Sequence, residues 1–150
     1  MNNAIFRFQP PKNETVLGYA PNSTERKELE KELKRQYNTT IEIPLIIGGK
    51  EVKTGKLGKV VMPTEHGHVL ATYHQCTAKE VKAAVDAALS ARKEWAATPW
   101  EDRASIILRA AELFAHKYRY VMNAACMLGQ GKNAFQAEID SACEAIDFMR

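Results

Sequence analysis

No run in this 150-residue chain approaches the ~18 consecutive apolar residues of a membrane span. The opening stretch, MNNAIFRFQPPKNE, has neither the apolar core of a secretion signal nor the arginine-rich amphipathic pattern of a transit peptide. A cytoplasmic protein is therefore expected, although a mitochondrial matrix protein stripped of its presequence would read the same way. Cysteine is scarce. Cys76, Cys126 and Cys143 are an odd number with no C-x-x-C pair, which argues against a disulfide framework and a zinc site and predicts reduced thiols. Charge of one sign is not in excess: 21 basic and 18 acidic residues give a net charge of +3, and the two signs are interleaved, so no face is set aside for nucleic acid. Internal repeats and low-complexity tracts are absent too. Apolar residues at 45 % and charged residues at 26 % are ordinary for a soluble globular chain, which leaves one domain with a real core as the simplest expectation.

The order of elements is read from periodicity and punctuation. Residues 1–20 carry Pro10, Pro11 and Gly18 without any period and suggest an arm that lies on something else. In NSTERKELEKELKRQY, Asn22 with Glu25 resembles a capping box, and Leu29, Leu33 and Tyr37 form a thin apolar stripe; together these complete a first part, 1–40. Residues 41–75 read as a small β region. Gly48 and Gly49 sit between two strand-like runs as a two-residue hairpin turn, Pro44 belongs at an edge or strand start, and KVVMP and HVLATYHQ are strands flanking the turn PTEHGH.

From 76 to 150 the chain is helical. Thr77 with Glu80 forms a capping box for a helix with Val81, Ala84, Val85, Ala88, Leu89 and Ala96 on its inner face. Thr98 as cap and Pro99 at the first helical position start a second helix, expected to bury Ile106, Ile107, Ala110, Leu113 and Phe114. A third runs from about Tyr118 to Leu128 and leaves at Gly129. Asn133 with Gln136 opens a fourth, expected to bury Ile139, Ala142, Cys143 and Ile146. Its pattern is still periodic at Arg150, which suggests a chain cut short.

Candidate chemistry is sparse. CMLGQGKNAFQAEID, residues 126–140, fails as a P-loop because Cys126 stands where the first glycine belongs and Asn133 where a hydroxyl should bind magnesium. Gly129, Gly131 and Ala134 formally meet G-x-G-x-x-A, but the stretch before them is helical and a dinucleotide loop needs a strand there. His66, His68 and His74 lack acidic or cysteine partners at ligand spacing and read as surface residues of a turn. Cys126 and Cys143 fall in apolar helical patterns as small buried hydrophobes, and Trp95 and Trp100 are packing residues at a helix junction. Asp140, Glu144 and Asp147, spaced i, i+4, i+7, project from one side of the last helix with no basic residue on it before Arg150. Two readings stay open for this stripe: a solvated face, or a surface for a cation from outside.

IIGGKEVKTGKLGKVVMPTEHGHVLATYHQCTAKEVKAAVDAALSARKEWAATPWEDRASIILRAAELF resembles the N-terminal section of the aldehyde dehydrogenase superfamily, in its glycine-pair hairpin, strand, proline turn, strand and alanine-rich helix ending in tryptophan. The flanks NETVLGYAPNSTERKELEKELK and MLGQGKNAFQAEIDSACEAIDFMR are similar to the narrower Δ1-pyrroline-5-carboxylate dehydrogenases, also called L-glutamate γ-semialdehyde dehydrogenases. PTEHGH departs from the superfamily's asparagine-proline turn and is close to the narrower family's version. The resemblance runs from Asn13 to Arg150. It implies an α/β fold, with this segment as the N-terminal part of the aldehyde dehydrogenase fold: a β-hairpin and short strands, then about four helices of a Rossmann-like NAD domain.

The implied activity is NAD-dependent oxidation of L-glutamate γ-semialdehyde to L-glutamate in proline degradation by a homo-oligomer. A cysteine thiolate attacks the aldehyde, hydride passes to NAD, and a glutamate-activated water releases the acid. In family members these groups and the cofactor contacts lie beyond the length of this sequence. None of its three cysteines stands at the nucleophile's place, so the segment is expected to be inactive and to bind no NAD alone. One site residue carries over: the tunnel-lining glutamate of A-E-I-D-x-A-x-E-x-I-D-F matches Glu144 in AEIDSACEAIDF, with Asp147 and Phe148 as weaker neighbours. The rival reading is a stand-alone helical protein-interaction module whose acidic stripe meets a basic partner.

Overall fold

Two glycines in the left-handed region turn the first hairpin of the β part. Gly48 and Gly49, at φ 57° and 76°, form the two-residue turn between β2 (Leu45–Ile47) and β3 (Lys50–Val52), which pair antiparallel in the expected register. The computed structural model describes residues 4–150. β4 (Leu57–Met62) and β5 (Glu65–His74) form a second antiparallel pair, with a register irregularity at Val60, Val61 and Met62. The connecting turn is confined to Pro63 and Thr64, so His66 and His68 lie in strand β5, not in a turn as the sequence suggested. β1 (Ile41–Ile43) adds to the other edge of β5 in parallel, giving the order β1-β5-β4. Pro44 separates β1 from β2, where the missing N–H lets the chain leave one sheet for the other.

Helix α1 (Thr24–Tyr37) starts one residue later than expected: Ser23 is the cap, its Oγ accepting from the Arg26 N–H, while Asn22 turns the chain at φ 66°. Only Leu29 of its stripe is fully buried. α2 (Ala78–Ala97) has the capping box of Thr77 and Glu80 and touches the first hairpin near Gly48 through Ala87, but none of its residues is buried. Val81, Val85 and Leu89 are each more than half exposed. α3 (Trp100–Ala115) is preceded by Pro99 at the cap position, and Thr98 closes α2 instead of opening α3. Ile106 and Ile107, expected inside, are exposed, and the face turned inward carries Ala111 and Ala115. Trp100 packs edge-on against Phe8 of the arm at 5.3 Å between ring centroids.

α4 (Arg119–Gln130) continues through Gly129 and ends at Gly131, whose φ of 68° makes it the left-handed cap. The Asn133–Gln136 capping box opens α5 (Ala134–Ala137) as expected. The helix then widens into a π-helical segment, Glu138–Cys143, before α6 (Glu144–Met149). The core lies where α6 meets α3: Ala111, Ala115, Ala142 and Ile146, with Phe114 and Met149 beside them. Ala142, Cys143 and Ile146 are buried as expected, whereas Ile139 is only half-buried. Small residues on both faces permit the close approach.

Candidate functional site

The three carboxylates of the last helix have different fates. Asp140 is paired with Lys132 at 2.7 Å. Asp147 Oδ1 accepts the Glu14 backbone N–H at 2.6 Å. Glu144 is exposed and makes no hydrogen bond or ion pair with any described residue. It stands on the wall of an open groove of about 520 Å³, between the arm at Asn13, Glu14 and Val16 and the helix at Ile139, Cys143 and Phe148. Lys132, immediately before the Asn133 cap, forms the ion pair of the stripe with Asp140, and no described residue forms an ion pair with Glu144 or Asp147. Phe148, 84 % exposed, offers an apolar surface beside it.

Beneath this groove lies a charged group that sequence reasoning missed. Glu138, the first residue of the π-helical segment, is completely buried. Its carboxylate accepts from the Leu17 N–H at 2.8 Å, the Tyr19 hydroxyl at 2.6 Å and Asn123 Nδ2 at 2.8 Å. Arg119, at the start of α4 and also buried, donates to it from Nε and Nη2. The rest of the guanidinium reaches the Glu14 carboxylate at 2.8 Å and the Thr15 carbonyl at 2.6 Å. Burial alone would raise the Glu138 carboxyl, but the bonds from Arg119, Tyr19, the Leu17 N–H and Asn123 hold it below the ordinary range. Glu14 is lowered in the same way: burial opposes ionisation, and the bonds from Arg119 and Arg150 prevail.

Tyr19 is raised by burial and by the Glu138 charge, so its hydroxyl stays a donor. The Cys143 thiol, pushed up to about 11 by burial and then by the nearby Glu138 charge, has no thiolate character near neutrality. A detectable sign was available in the sequence: Glu138 precedes Ala142 by four residues, so an acid sits on the buried face.

The remaining candidates are placed apart. His74 is buried; its Nδ1 accepts from the Thr54 and Gly55 N–H groups, so its proton sits on Nε2 and is donated to Glu42 at 2.7 Å. His68 stacks on Tyr37 with ring centroids 4.0 Å apart. Among the described residues no group of three or more histidine, cysteine or acidic side chains is placed to hold a metal ion. Cys126 and Cys143 are buried free thiols, and Cys76 is exposed. Trp95 and Trp100, read as packing residues at a helix junction, are about half exposed, with Trp100 against Phe8 and Trp95 under the Arg103 guanidinium.

The aldehyde dehydrogenase family profile matches residues 50–150, two-thirds of the chain. The chain belongs to the aldehyde dehydrogenase family. Within that family it is 52 % identical over 148 residues to the mitochondrial delta-1-pyrroline-5-carboxylate dehydrogenase of Emericella nidulans, covering 98 % of this chain and 26 % of that protein. It is 45 % identical over 140 residues to the mitochondrial enzyme of the same name from Dictyostelium discoideum, covering 93 % of this chain and 25 % of that one. The crystal structure of the Mycobacterium tuberculosis delta-pyrroline-5-carboxylate dehydrogenase bound with NAD and cobalamin superposes with a TM-score of 0.97 at 43 % identity, over 100 % of this chain and 28 % of that chain. The chain thus spans about a quarter of the length of the relatives it matches. Its fold is the N-terminal part of the aldehyde dehydrogenase fold.

The two glycines of residues 126–140 do not form a nucleotide cradle. Gly129 is inside α4 and Gly131 is a helix cap, so neither lies on the strand-to-helix turn that would bring backbone N–H groups onto a pyrophosphate.

Proposed function

We propose that the chain is the N-terminal quarter of an NAD-dependent dehydrogenase that oxidises L-glutamate γ-semialdehyde to L-glutamate, and that Glu144 contacts the aldehyde substrate. The identities to delta-1-pyrroline-5-carboxylate dehydrogenases over nearly the whole chain support the reaction. The single observation supporting the residue is that, of three carboxylates on one helix side, only Glu144 makes no hydrogen bond or ion pair with a described residue, and it faces a groove. A free carboxylate beside the apolar Phe148 suits an amino-acid aldehyde, whose α-ammonium would complement the charge while its methylene chain lies on the ring.

The catalytic groups and the NAD contacts belong to the rest of the dehydrogenase, and the segment alone is inactive. The uncovered faces of α2 and α3, with Val81, Val85, Leu89, Ile106 and Ile107 exposed, favour a segment completed by the remaining polypeptide. Homo-oligomeric assembly and residence in the cytosol, or in the mitochondrial matrix of a eukaryote, are part of the same reading. So is the division into an arm and charged helix (1–40), a β region (41–75) and a helical part (76–150). Two experiments test it. Glu144→Ala in a full-length dehydrogenase carrying this segment should raise the aldehyde KM about tenfold, the loss of about 1.5 kcal/mol for one charged contact. Unchanged kinetics would remove Glu144 from the site, and NADH formation by the 150-residue chain alone would refute the stated division of labour.

A further inference from the structure

The groove is built from two pieces distant in sequence, and one buried group holds both. Leu17 and Tyr19 of the arm donate to Glu138, and Glu14 and Thr15 are held by Arg119, which is itself bonded to Glu138. On the other wall, Glu138 begins the π-helical segment, in which bonds reach five residues back instead of four. The backbone N–H of Glu144 makes the last such bond, to the carbonyl of Ile139.

The wider turn has a directional consequence. In an uninterrupted α-helix each residue advances about 100° around the axis, so residues five apart point roughly 140° away from each other. The π segment instead places Glu138 and Cys143 together, with Cys143 Sγ 3.7 Å from Glu138 Oε1 and 3.5 Å from Arg119 Nη2. Every residue after it is turned by about one helical position relative to a regular helix. In that phase Ile146 is buried and Glu144 faces the groove.

We infer that Glu138 is a positioning residue for substrate binding: clamped by Arg119 and the arm, it fixes the helical phase in which Glu144 meets the aldehyde. The inference rests on the substrate-contact reading of Glu144. All five partners of the Glu138 carboxylate, Leu17, Tyr19, Arg119, Asn123 and the Cys143 thiol, donate to it, so its neutral isostere glutamine would turn an N–H onto one of them without changing volume. Glu138 would thus act on substrate affinity from within the core, without touching substrate.

Glu138→Gln, Glu144→Ala and the double variant, each in the full-length dehydrogenase carrying this segment, test the inference. Glu138→Gln should raise the aldehyde KM about tenfold while kcat and the KM for NAD stay within twofold, and it should add nothing to the aldehyde KM in the Glu144→Ala background. Tyr19→Phe, which removes one arm donor and keeps the ring, should move the aldehyde KM the same way by about threefold and decides the matter if Glu138→Gln fails to fold. An effect of Glu138→Gln that multiplies with that of Glu144→Ala, or a fall in kcat with a rise in both KM values, would overturn the positioning role while leaving Glu144 in the site. A silent Glu144→Ala would remove the substrate reading itself and the positioning role with it.

Discussion

Replacing Arg119 with methionine keeps the length and apolar stem of the side chain and removes the charge that faces Glu138. Both groups are buried, the Arg119 side chain at 4 % exposure and the Glu138 side chain at 0 %. Removing one partner of such a pair costs about 3–5 kcal/mol, because the other charge is left uncompensated. Four neutral donors remain on Glu138, from Leu17, Tyr19, Asn123 and the Cys143 thiol, which places the loss near the lower end at about 3 kcal/mol. The loss falls on the docking of the arm, since Arg119 also holds Glu14 and Thr15. At about 1.4 kcal/mol per factor of ten, the arm should open about a hundredfold more often.

The Leu17 amide reports this directly, because its N–H is bonded to Glu138 and exchanges with solvent only when the arm lifts. Hydrogen exchange followed by mass spectrometry at pH 7 should show its protection reduced by that factor, with the α4 amides little changed. A pH series adds a sign. Without Arg119, burial dominates and raises the Glu138 carboxyl, so the deficit of the variant should narrow toward pH 5 as that group takes up a proton. Leu17 protection equal to wild type at pH 7 would refute the view that this pair holds the arm.

In the unmodified chain, Glu138 and Glu14 are both held below the ordinary glutamate value of 4.5. Their contribution is therefore complete above that value and lost as pH falls through the lowered ones, so Leu17 protection, corrected for intrinsic exchange, should be lost progressively in acid on the low side of 4.5. Gly129 and Gly131 should respond oppositely to alanine. At Gly129, mid-helix with open space around the new methyl, stability should rise by about 0.5–1 kcal/mol; at Gly131, φ 68°, it should fall by about 1–2 kcal/mol, both read as shifts of the urea midpoint. His74→Leu leaves the Thr54 and Gly55 N–H groups without their acceptor and should lower stability by about 2 kcal/mol in the same assay.

Local chemistry was legible and long-range pairing was not. The Gly48–Gly49 turn and the capping boxes at Thr77 and Asn133 depend only on residues within three positions of each other, and all three formed as read. The helix exit was misplaced by two residues because either glycine could cap α4, and the choice fell to Gly131, next to Pro63 and Thr64. The three-residue β1 carries no signal of its own, since its pairing with β5 is made by residues 30 positions away. On α2 the expected inner residues Val81, Val85 and Leu89 are exposed, and on α3 Ile106 and Ile107 are, whereas Phe114 packs on the core as read. At the site, the motif points to Glu144, whereas the support beneath it is missed because an acid is not expected on the buried face of the fourth helix, where Glu138 lies. Its role depends on an arm 121 residues away, which no window of the sequence brings beside it.

The same separation sets an order of events during synthesis. The bonds that seat residues 14–19 reach 104 to 136 positions down the chain. At about 5–20 residues per second, the arm leaves the ribosome roughly ten seconds before its partners exist. Through that interval Phe6, Phe8 and Val16 have nothing to cover, and the two hairpins and the early helices can form around their local signals. Residues 14–19 are thus among the last of this segment to be seated, and chaperone capture of nascent chains should be strongest before Glu138 emerges.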